Sequence, residues 1–150
     1  MTVLLLAIHF PHYNHQTINT MIKFTYTILY VPDVVKTTDF YERAFGFSRK
    51  FISPDSEYAE LITGETTLSF ASTALAASNF TDGFIKSDPA NQPFGIEIGF
   101  TTDDVAATID KAVEAGAILV EKPKTKPWGQ TVAYLRDLDG FLIEICTPMG

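Results

Sequence analysis

Histidine is almost missing from this chain. His9, His12 and His15 are its only three, and all lie within the first twenty of 150 residues. From Met21 onward there is none, which excludes a histidine-rich metal centre or a histidine general base from the remainder. Cysteine is scarcer still. Cys146 alone excludes an intrachain disulfide framework and suits a reducing cytoplasm, where the protein is expected to reside. Its apolar strand context predicts a buried, inert thiol. Basic residues are also few, with 11 Lys and Arg against 18 Asp and Glu, a net charge of −7 and a pI near 4.8. That balance excludes a nucleic-acid backbone or an anionic membrane as the main partner and leaves a small molecule or another protein. Long apolar runs are absent as well. Thr2-Val-Leu-Leu-Leu-Ala-Ile8 falls far short of the ~20 residues of a membrane span and lacks the basic start and cleavage pattern of a secretory signal.

Residues 1–20 therefore read as a disordered or wrongly included extension, ahead of Met21-Ile-Lys, and residues 21–150 as the folded domain. The competing reading of the extension is a His-x-x-His-x-x-His metal arm. A hydrophobic content of 46% is enough for one core, or for two small modules fused into one.

What is present is a repeat. Phe24 to Val31, then Pro32-Asp33-Val34 and a helical stretch ending at Gly46, is echoed by Gly95 to Thr101, then Thr102-Asp103-Asp104-Val105 and a helical stretch ending at Gly116. The Asp33 and Asp104 helix caps lie 71 residues apart, and the closing glycines 70. Short strands follow each helix, at 47–52, 57–63 and 66–72 in the first copy and at about 117–121, 130–136 and 141–146 in the second. The spacing predicts an α+β fold of two βαβββ modules in tandem, about 21–73 and 94–148, with eight strands curving around a cleft. Residues 73–93 form the connection, with room for one helical turn.

Strand alternation selects the cleft-facing side chains. Ile96, Ile98 and Phe100 are expected under the second helix, which turns Glu97 inward, and the same alternation turns Glu144 and Cys146 inward from the last strand. Tyr26, Ile28 and Tyr30 look inward from the first strand, and Tyr134 and Arg136 from the seventh. The helices are expected to bury Val35, Phe40, Tyr41, Ala44 and Phe45, and Val105, Ile109, Ala112 and Val113.

Two motif pairs carry a resemblance: Tyr30-Val-Pro-Asp-Val34 with Phe40-Tyr-Glu-Arg-Ala-Phe-Gly-Phe47, and Lys126-Pro-Trp-Gly-Gln130 with Tyr134-Leu-Arg-Asp-Leu-Asp-Gly-Phe-Leu-Ile-Glu-Ile145. From Met21 to Pro148 the chain resembles the vicinal oxygen chelate superfamily of glyoxalase I, extradiol dioxygenases, and the fosfomycin and bleomycin resistance proteins. The scaffold hosts isomerases, dioxygenases, thiol transferases and non-catalytic drug binders, so the resemblance implies the fold and leaves the chemistry to the site. It also implies metal ligands on the first and last strands of each module. Carried over by position, these are Tyr26 and Ser69, then Glu97 and Glu144. Glu144 matches the family's glutamate, Glu97 stands where histidine is common, and Tyr26 and Ser69 depart from the pattern.

Two readings follow. Glu97 and Glu144 are either ligands of a divalent metal, assisted by Tyr26 or Glu60, in a lyase, isomerase or dioxygenase, or cleft carboxylates that attract a cationic guest and contact Tyr134 and Arg136. Aromatic Tyr26, Tyr30, Tyr134 and Trp128 would supply a stacking wall for a flat or cationic ligand. No bound cofactor is expected on the second reading. Family analogy and the need to cover sheet edges predict a homodimer.

Overall fold

The computed structural model describes residues 21–149; both readings of residues 1–20 lie outside the described residues. β1 (Tyr26–Val31) is built of aromatic, β-branched and aliphatic residues and stops before Pro32. Asp33 then caps α1 (Val34–Phe45), its carboxylate accepting from the Lys36 amide at 3.0 Å. Gly46 closes the helix in the left-handed conformation, φ 73°. β2 (Ser48–Ile52), β3 (Tyr58–Ile62) and β4 (Thr67–Ser72) complete the first module, and a short α2 (Thr73–Ala77) supplies the single turn expected in the connection.

The second module repeats the order with β5 (Glu97–Thr101), α3 (Val105–Ala115), β6 (Ile118–Thr125), β7 (Thr131–Arg136) and β8 (Leu142–Cys146). Asp104 caps α3 by accepting from the Ala107 amide, and Gly116 ends it. The sheets run β1-β4-β3-β2 and β5-β8-β7-β6, each with one parallel pair, β1 with β4 and β5 with β8. The fold is thus α+β, two tandem βαβββ modules, with the eight strands divided equally between two sheets.

The modules meet through their helix-bearing sides. Tyr41 on α1 packs against Phe70 of its own module at 4.9 Å, and Phe100 of the second module lies 5.1 Å from Phe45 and 5.0 Å from Phe47. One core results, running from Leu29, Phe40 and Phe70 to Ile109, Leu135 and Ile145. Each large side chain fully buried in it contributes about 1.5–3 kcal/mol. Because the helices occupy the junction, the inner sheet faces do not close on each other within one chain.

Three side chains expected in the core lie at its margin. Val35 is half-exposed because α1 buries Val34, Thr37, Thr38 and Tyr41, the i, i+3, i+4, i+7 face one step away. Val113 is likewise at the rim of α3. Ile96 is 74% exposed because β5 begins only at Glu97, so no pleat turns it inward.

Candidate functional site

Register makes the two inner faces directly comparable. In the first sheet Ser69 pairs with Ile28 and with Glu60; in the second Glu144 pairs with Gly99 and with Tyr134. Tyr26 and Glu97 each stand two residues before the matched β1 and β5 positions. The first module therefore presents Tyr26, Ser69 and Glu60 where the second presents Glu97, Glu144 and Tyr134.

On the second module the Tyr134 hydroxyl donates to Glu144 Oε2 at 2.7 Å. Glu97 lies against Glu144, and its carboxyl is pushed up by lost hydration, then by the charge of Glu144 and a hydrogen bond to it. Two carboxylates this close favour one shared proton unless a cation joins them. The same crowding acts on the neighbours. Tyr134 is raised to about 12, chiefly by its hydrogen bond to Glu144, and Cys146 to about 11, chiefly by burial. None of the ion pairs among the described residues involves Glu97 or Glu144.

Cys146, expected as an inert thiol, is buried and borders the acidic pair. At pH 8 its thiolate fraction should be about a hundredfold below that of an unperturbed cysteine. Iodoacetamide labelling followed by mass spectrometry is expected to be slower by at least that factor, and labelling at the free-cysteine rate would contradict this environment.

On the first module Glu60 is already engaged, accepting from Lys50 Nζ at 2.8 Å and from the Tyr58 hydroxyl at 3.0 Å. Lys50 lowers its pKa most, with Tyr58 adding to the effect. Ser69 is fully buried beside Tyr58 and makes no hydrogen bond of good geometry. Tyr26 is half-exposed. Lys50 and Tyr58 were not among the expected site residues; the shared parity of Tyr58 and Glu60 was the available signal, whereas Lys50 reaches the face by cross-strand proximity.

The remaining candidates go elsewhere. Tyr30 packs under the connecting segment, 4.9 Å from Phe84 and 6.2 Å from Phe80. Arg136 turns from the carboxylates and donates to the carbonyls of Asp88, Pro89, Asn91 and Gly140. Trp128 is 65% exposed, and its Nε1 donates to Gln130. Together with Gly129, Gln130, Pro148 and Met149 it lines a cavity of about 420 Å³ that excludes Glu97 and Glu144 from its walls.

Within one chain the acidic pair supplies two of the three protein ligands that a catalytic metal ordinarily has. Among the described residues no three His, Cys, Asp or Glu side chains converge.

A tandem βαβββ protein with a carboxylate pair on one inner face is the class that fold and site define. The model of the Glyoxalase/Bleomycin resistance protein/Dioxygenase superfamily matches residues 23–145, and the chain belongs to that superfamily. It is 28% identical over 139 residues to a probable lactoylglutathione lyase of Vibrio cholerae, covering 88% of this chain and 90% of the relative. It is 31% identical over 118 residues to an uncharacterized protein, YraH, of Bacillus subtilis, covering 78% and 91%. A glyoxalase-related enzyme from Fulvimarina pelagi superposes with a TM-score of 0.72 at 19% identity, over 85% of this chain and 89% of that one. No helix among the described residues is long and apolar enough to cross a membrane.

Proposed function

We propose that this superfamily member binds a small organic cation at Glu97 and Glu144, in a cleft with aromatic side chains that a second copy of the chain completes. The contact between Glu97 and Glu144, with no ion pair to either side chain among the described residues, carries this reading. A cationic guest relieves their repulsion and displaces the shared proton. Tyr134 orients Glu144 and offers a ring face nearby. The open inner faces support the second copy: setting the first module of one chain against the second module of the other faces Tyr26, Ser69 and Glu60 toward the acidic pair. A reducing cytoplasm suits the single free thiol.

A second reading, a metal-dependent lyase, isomerase or dioxygenase using Glu97 and Glu144 as ligands, is favoured by the similarity to the probable lactoylglutathione lyase. One experiment separates the two. Protein loaded with Zn, Ni, Mn or Fe(II) is desalted and assayed for metal, alongside equilibrium dialysis against aromatic amines and quaternary ammonium compounds. The cation reading expects a bound organic cation and no retained metal. Near-stoichiometric metal that is lost on Glu144→Gln substitution would replace it with the enzyme reading.

A further inference from the structure

One inner-face position of the second sheet carries no side chain, and the fold does not require that. Gly99 is the central residue of β5, and because Ile98 and Phe100 on either side of it pack against the core, a side chain at 99 would project from the face that carries Glu97. It stands in register with Glu144, which in turn stands in register with Tyr134, so the three form one row across β5, β8 and β7. The row runs from an aromatic ring, through the acidic pair, to bare backbone.

Three observations set this glycine apart from those that shape turns. Its φ lies outside the left-handed region, so a residue with a side chain can adopt the same backbone. A Cβ placed on it meets nothing within 4 Å, Glu97 and Glu144 included, so the glycine is not what allows the two carboxylates to approach. Its counterpart in the first module, at the same 71-residue offset that relates the helix caps, is Ile28, which is in register with Ser69 as Gly99 is with Glu144. Glycine inside a strand weakens it through backbone entropy and lost packing. The first module fills this position and the second leaves it open.

We propose that Gly99 selects the guest: the open space beside Glu144 receives alkyl groups on the cationic nitrogen, so the site takes tertiary and quaternary amines in preference to primary ones. The inference rests on the cation reading of the acidic pair. A primary ammonium presents three N–H donors that carboxylate oxygens satisfy at close range, and it has no substituent to set over the strand. N-methyl groups instead bring apolar area that a carboxylate oxygen does not cover. Tyr134 offers a ring face on one side of Glu144, and the backbone at Gly99 leaves room on the other, where any larger residue would stand.

Equilibrium dialysis of benzylammonium and benzyltrimethylammonium, which differ only in N-methylation, tests this in wild type, Gly99→Ala and Gly99→Val. Wild type is expected to hold the trimethyl compound more tightly. Gly99→Ala should weaken that compound about fivefold or more and Gly99→Val further, because the added side chain occupies the space its methyl groups need, while benzylammonium changes by less than about twofold. The melting temperature of Gly99→Ala should equal or exceed that of wild type, since nothing crowds the new methyl group. A wild type that does not favour the trimethyl compound overturns the proposal. An equal loss of both compounds in Gly99→Ala overturns it as well, and assigns the space to an opposing copy of the chain while leaving the cation reading in place. A lowered melting temperature in that variant makes the glycine a structural requirement and has the same result. If neither compound binds wild type, the cation reading itself fails and the selection fails with it.

Discussion

Glu144→Gln is expected to weaken binding of an organic cation by about ten- to a hundredfold, because a charge-assisted contact contributes ~1.5–3 kcal/mol and glutamine preserves the shape while removing the charge. Equilibrium dialysis of wild type and variant against the same ammonium compound measures it. The substitution should also be visible without ligand. Tyr134 is held at about 12 chiefly by its bond to Glu144, so its ultraviolet titration should move down toward the ordinary tyrosine value in the variant. A lowered Tyr134 with unchanged affinity would mean that the pair is intact but is not where the cation binds.

The largest loss of stability is expected from Gly140→Ala. Gly140 has φ 88°, and a Cβ there would stand 2.6 Å from Arg136 Nη2 and from the Pro89 nitrogen, and 2.7 Å from the Asp88 carbonyl carbon. Backbone on one side and a guanidinium bound to four carbonyl groups on the other leave nothing free to yield. Together the strained φ and the overlap should cost about 3–5 kcal/mol, enough to lower Tm by roughly 10–20 °C in a domain of this size. Gly64→Ala is the matched control, with φ 102° and nothing within 4 Å, and should lose only about 1 kcal/mol. Equal melting temperatures for the two variants would show that the connecting segment can move off the turn.

The contrast between these glycines marks what was legible in the sequence. Alternation in β5 and β8 placed Glu97 and Glu144 on the inner face because strand parity depends only on neighbouring residues. The capping aspartates and closing glycines of both helices were readable for the same reason. The fate of Arg136 was not, since most of its partners are backbone carbonyls 45 to 48 residues away in a segment without periodicity. Nor was the junction. Thr37 and Thr38 are buried because Thr37 bonds Asp139 and Thr38 bonds its own helix, and two polar residues on the buried face conceal its true phase. The division of the eight strands into two sheets joined by helices depends on which buried stripe meets which, and hydrophobic period does not encode that.

That division has a consequence for how the chain is made. Every strand of the first sheet has emerged once Ser72 leaves the ribosome, including the β1–β4 pairing that closes it. Its backbone can register with no information from the second half. The rings of Phe45 and Phe47 cannot be finished so early, because Phe100 is still to be synthesised. The nascent first module thus carries an uncovered aromatic surface through the translation of the connecting segment, and the arrival of β5 ends that exposure.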